Sequence, residues 1–301
     1  MSGTAESAFL PRSAFQNDLL YSLGGGDPRI TIAVLDGPVD RTHECFRGAR
    51  LTPVGEFSTA LAGNDRTMAQ GSHTASVIFG QPCSAVEGQA PLCRGLLVPI
   101  FADGQVCTTQ RLARAIMVAV DHGAQLIHVG GGSFAASAEG DALLAKALAL
   151  CLRRNVLIIT VAGARGCAEL LHAAAAAPVL AVRAVEQLAL RATSAARSIG
   201  CTCGVAVPGS RIFGAALEGR VARRSGACSA AALACGLAGV LLSRQLATQG
   251  RADPLAVRHW LLDAVSADSA CNGFAVLQSR RDIERLAARA GLSYPVTRSF
   301  G

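Results

Sequence analysis

Ile32-Ala33-Val34-Leu35-Asp36-Gly37-Pro38-Val39-Asp40 is the stretch on which the fold turns. Four consecutive apolar residues end on a carboxylate, and Gly37-Pro38 follows at once. Short apolar runs bounded by Gly and Pro read as buried strands. A strand that delivers an acid into a loop at its carboxyl end places that acid where α/β sheets collect their chemistry. Asp36 is therefore the first candidate site residue.

Outward from it the chain alternates. Strands are expected at Ile30–Leu35, Gly95–Ile100, Leu126–Val129, Val156–Val161, Val179–Val182 and Gly204–Val207. Helices are expected at Ser72–Phe79, Gln110–Asp121, Gly140–Arg154, Ser229–Gly250 and Pro254–Ala264. Strands that alternate with helices imply a mostly parallel sheet with helices on both faces. Residues 1–29 read as an N-terminal extension, a leading helix and loop with Gly24-Gly25-Gly26 as hinge. The main domain is expected over 30–273, and 274–301 as a C-terminal helix (Ser279–Ala290) and tail. No internal repeat is visible.

Composition narrows the function classes. The 301 residues are 51% hydrophobic and 16% charged, which excludes disorder and supplies a large core. The apolar stretches Ala173–Val182 and Ala230–Leu242 are too short for a membrane span. MSGTAESAFLPRSAF lacks the basic and apolar regions of a secretory signal, so a cytoplasmic protein is expected, with no membrane partner. The formal charge of +7 comes from scattered arginines. Arg223-Arg224 and Arg280-Arg281 lack aromatic interleaving and read as solvated faces, with no nucleic acid implied.

Eleven cysteines at irregular spacing do not form a disulfide framework outside a secreted protein. Neither Cys83 with Cys93 nor Cys201-Thr202-Cys203 has zinc-site spacing, and buried free thiols are expected. His122, His128, His172 and His259 read as structural, with no metal-ligand pair among them. Asn64-Asp65 is too sparse for calcium. No metal and no cofactor is expected.

Four segments carry a resemblance. Val34-Leu35-Asp36-Gly37 opens the chain's first block, with Arg41-Thr42-His43 behind it. Gln70-Gly71-Ser72-His73-Thr74-Ala75-Ser76 opens a helix. Val161-Ala162-Gly163-Ala164-Arg165-Gly166 follows a strand. Ser225-Gly226-Ala227-Cys228-Ser229-Ala230 leads into a long apolar helix. In this order and at these separations they resemble the blocks of the subtilisin-like serine proteases, over roughly residues 30 to 265. The resemblance implies a subtilisin-like three-layer α/β fold. Val77-Ile78-Phe79-Gly80-Gln81 and Ala90-Pro91 through Ile100-Phe101 look specifically like the proteases that mature cyanobactins, ribosomally made peptides. Gly166-Cys167 and Leu171-His172 fit the same branch. A macrocyclising member would carry an added helical insertion, for which the chain leaves no room.

Carried over block by block, the resemblance assigns the triad aspartate to Asp36. It assigns the histidine position to Gln70, the oxyanion-hole asparagine position to Ala164 and the nucleophile position to Cys228. His73 falls on a second, structural histidine. Three of these four positions depart from the family pattern. A glutamine cannot take a proton near neutral pH, so Asp36 has no imidazole to orient. Cys228 is a strong nucleophile only as thiolate, a few per cent at an ordinary pKa of about 8.5. A helix N-terminus would favour that form. Ala164 offers no hydrogen bond to an oxyanion, a loss established for subtilisin itself as about 10²–10³ in rate. Ser229 could serve as nucleophile only if the turn slid by one residue.

Gly130-Gly131-Gly132 follows the strand that resembles the family's substrate-pairing strand. Glycines there permit close backbone approach, and strand addition needs no triad. The expected function is a pseudoprotease that binds a peptide, a precursor peptide, or a partner protease or modifying enzyme, in maturation of a ribosomally made peptide. The alternative is an active endopeptidase with Cys228 as nucleophile.

Overall fold

The computed structural model describes residues 24–54, 65–101, 106–162, 171, 177–185, 204–263, 274–276 and 280–290. The expected leading helix, Ala164, His172, Cys201, Cys203 and Asn64 lie outside the described residues.

The strands are β1 (Thr31–Asp36), β2 (Arg50–Pro53), β3 (Arg94–Pro99), β4 (Val106–Thr108), β5 (Leu126–Val129), β6 (Ser133–Ala135) and β7 (Leu157–Val161). They continue with β8 (Val179–Val185), β9 (Gly204–Pro208), β10 (Ile212–Ala215), β11 (Val221–Arg224) and β12 (Phe274–Val276). Eight form one sheet in the order β12-β9-β8-β7-β5-β1-β3-β2, with every pair parallel. β4 pairs parallel with β6, and β10 pairs antiparallel with β11. β1 lies between β3 and β5, with Asp36 opposite Pro99.

Parallel sheets are covered on both faces, and alternation along β1 shows how. Ile32 and Val34 join one core, with helices α1 (Asp65–Phe79), α4 (Ala227–Gln249) and α5 (Pro254–Asp263). Ala33 and Leu35 join the other, with α2 (Thr109–Asp121) and α3 (Ala138–Arg153). This is the subtilisin-like α/β architecture expected from the sequence.

Several expectations need correction. α1 begins at Asp65, not Ser72, so Gln70 and Gly71 lie inside a helix rather than at its opening. A glycine interrupts the helical signal there, and packing explains it. A Cβ on Gly71 would collide with the carbonyls of Gly37 and Pro38, so the helix seats directly on the turn after β1. The sheet also continues past residue 273, where the sequence reading closes the main domain: β12 pairs with β9, and helix α6 (Arg280–Arg289) follows it. The short β2, β4, β6 and the β10–β11 hairpin are not among the expected strands. Finally, α4 is long and apolar enough to cross a membrane, yet most of it is buried inside the protein as a core helix.

Candidate functional site

Asp36 ends β1 fully buried. Its carboxylate accepts hydrogen bonds from the Gly37 amide at 2.7 Å, the Thr74 hydroxyl at 2.8 Å and the Gln70 side-chain amide at 3.0 Å. Gln70 and Thr74 stand four apart on α1 and so share a helix face. Gly130 closes the other side, since a Cβ there would lie 2.8 Å from Oδ1 of Asp36. Burial raises the Asp36 pKa to about 6, against the three donors and the charge of Arg224.

Gln70 Nε2 donates a second hydrogen bond to the Gly131 carbonyl, also at 3.0 Å. Both partners are acceptors, which assigns the amide's orientation: the NH₂ end faces them. Gln70 thus ties the strand-end carboxylate to the glycine segment after β5.

Cys228 is the second residue of α4, whose N-cap Gly226 supplies no side-chain bond. Its Sγ lies 2.6 Å from where a Cβ of Gly131 would stand. The expectation that the helix N-terminus lowers its pKa is corrected. Burial pushes the thiol up to about 11, with the Asp36 charge adding to it, against smaller opposing effects from the Gly131 and Cys228 backbone and Arg224. A helix-end field of about half a charge loses to the desolvation of a thiolate. Ser229 is buried in α4 beside it.

Asp36, Gln70, Gly130, Gly131 and Cys228 therefore converge. Gly132 follows, half-buried. Among the described residues, no cluster of His, Cys, Asp or Glu could hold a metal ion.

His73 is buried, and its Nε2 donates to the Ile212 carbonyl at 3.1 Å. Burial lowers its pKa to about 4, so it is neutral and joins α1 to β10. His128 is fully buried between Val34 and Ile159, and neither ring nitrogen has a hydrogen-bond partner among the described residues. Its pKa falls to about 4 for the same reason.

Two site residues escape the sequence reading. Thr74 is detectable as the residue one helical turn after Gln70. Arg224 groups with Arg223 as a solvated face in the sequence, but only Arg223 is exposed and Arg224 is half-buried. The alternation of side chains along a hairpin strand is the signal that separates them.

The site brings together a neutral thiol, a buried carboxylate and the half-buried Gly131-Gly132 segment. Among the described residues, no side chain makes a hydrogen bond to the Cys228 thiol.

A subtilase family model matches residues 27–282. The protease domain of PatA, solved as a serine-to-alanine mutant, is 36% identical with a TM-score of 0.73, covering 88% of this chain and 97% of that one. The prenylagaramide maturation protease PagA is 35% identical with a TM-score of 0.74, covering 89% and 97%. The PatG macrocyclase in complex with peptide is 26% identical with a TM-score of 0.66, covering 89% and 94%. No curated protein matches the chain.

Proposed function

This chain belongs to the subtilase family and is related to the cyanobactin maturation proteases, and on that premise we propose that it is a pseudoprotease of ribosomal-peptide maturation. It binds an extended precursor peptide in the cleft beside Gly130, Gly131 and Gly132 and does not hydrolyse it. One observation carries this reading: Gln70 fills the base position with an amide that donates to Asp36 and to Gly131. A general base must accept a proton, and this group has its donor end turned to the site.

The peptide part of the reading draws support from the PatG macrocyclase, solved with a peptide. Identity is higher to the maturation proteases PatA and PagA than to the PatG macrocyclase, which favours a role beside the former over one in macrocyclisation. A partner protease or modifying enzyme would act on the peptide that this chain holds.

The alternative, an endopeptidase with Cys228 as nucleophile, needs a thiolate that burial and Asp36 both oppose. The deciding experiment measures binding and cleavage on one mixed peptide library, with intact protein and Cys228→Ala. Binding without cleavage by either protein supports the proposal. Cleavage that disappears in Cys228→Ala overturns it.

A further inference from the structure

In the β10–β11 hairpin, Ile212 stands opposite Arg224, Phe213 opposite Arg223 and Gly214 opposite Ala222. Side chains alternate across such a ribbon, so Ile212, Gly214, Ala222 and Arg224 share one face. Two contacts show which way each face looks. Arg223 lays its guanidinium over the Phe213 ring at 4.3 Å on the exposed side. Ile212 is fully buried, and the His73 ring of α1 occupies the space that a Cβ on Gly214 would need.

Arg224 therefore points to the α1 side of the hairpin, four residues ahead of Cys228. It is half-buried, and its side chain makes no hydrogen bond or ion pair among the described residues. Its charge nevertheless reaches Asp36, Cys228 and His73, three groups on three different elements. Asp36 does not pair with it: that carboxylate is fully buried and accepts from Gly37, Gln70 and Thr74 instead. A guanidinium carries five donors and no acceptor, and a half-buried one without an anion is an incomplete site.

We propose that Arg224 is a specificity residue of the cleft, which recognises a carboxylate on the bound peptide. The inference rests on the peptide-binding reading and names the chemistry that reading leaves open. A planar guanidinium pairs with a carboxylate through two parallel hydrogen bonds, so a half-buried arginine selects for an acidic group rather than for charge in general. The carboxylate comes either from an Asp or Glu side chain or from a free peptide C-terminus.

The test uses synthetic peptides in matched pairs, Glu against Gln and free against amidated C-terminus. Each is titrated against the full chain and its Arg224→Gln, Arg224→Lys and Arg223→Gln forms. The acidic member of a pair should bind the wild type about tenfold to a hundredfold more tightly. That preference should vanish in Arg224→Gln, weaken in Arg224→Lys and persist in Arg223→Gln. Urea-unfolding midpoints close to that of the wild type report that each variant is folded. Loss of preference on Glu→Gln identifies a side-chain carboxylate, and loss on amidation identifies the chain terminus; either supports the inference. Equal binding of both members by the wild type, or a preference that survives Arg224→Gln, overturns it and leaves peptide binding standing. Failure of every peptide to bind overturns both.

Discussion

Gln70 donates its side-chain amide to the Asp36 carboxylate at 3.0 Å, a pair that the sequence resemblance assigns to the family's base and acid positions. The bond is strong because the carboxylate is buried. It is chemically silent because a neutral amide has no proton-accepting nitrogen. The variants below probe this pair and what surrounds it.

Restoring the base tests whether the rest of the site is intact. Gln70→His with Cys228→Ser should hydrolyse peptide measurably faster than the native chain. Ala164→Asn added to that pair should raise the rate by about 10²–10³, the value established for subtilisin's own oxyanion donor. A triple variant as silent as the native chain would mean that the cleft is not arranged for acyl transfer.

Asp36 should leave a signature in stability against pH. Its folded pKa of about 6 lies above its ordinary value of 3.8, so the fold favours the protonated form. Its effect is least unfavourable below about pH 4, and stability is lost as pH rises from there through about 6. The full effect is about 3 kcal/mol by linkage. Urea unfolding from about pH 4 to about pH 8 should show this loss, and Asp36→Asn should flatten it. An unchanged slope in the variant would place the titrating group elsewhere.

Thiol alkylation reports directly on Cys228. With a pKa of about 11 it should react far more slowly at neutral pH than Cys83, which is exposed. Peptide mass mapping after brief iodoacetamide treatment separates the two. Equal labelling at neutral pH would revive the endopeptidase reading.

Gly131→Ala should destabilise the protein by about 1–3 kcal/mol, because the new methyl meets the Cys228 sulfur. Cys228→Ala should relieve much of that cost in the double variant, a coupling readable in a double-mutant cycle of denaturation midpoints. Additive effects would show that the two residues do not touch.

The central strands are legible because parallel strands are buried on both faces and so appear as unbroken apolar runs. Leu126–Val129 matches its expected span to the residue, and β1, β3, β7, β8 and β9 match theirs to within a few at each end. The short β2, β4 and β6, the hairpin and β12 lack that run, since they lie at edges or outside the main sheet. The start of α1 is misplaced in the sequence because Gly71 looks like a boundary. Its lack of a side chain answers to the Gly37 turn packed against it, a contact no local pattern contains.

What the sequence determines by itself is the α/β class, the strand that delivers Asp36, and which residue types stand at Gln70 and Cys228. Those follow from local periodicity and from the proton chemistry of single side chains, which need no neighbours. The tertiary structure alone decided that Gln70 bridges Asp36 to Gly131, that Cys228 is held protonated, and that Arg224 rather than Arg223 turns inward. Each of those depends on desolvation and on contacts between segments far apart in the chain.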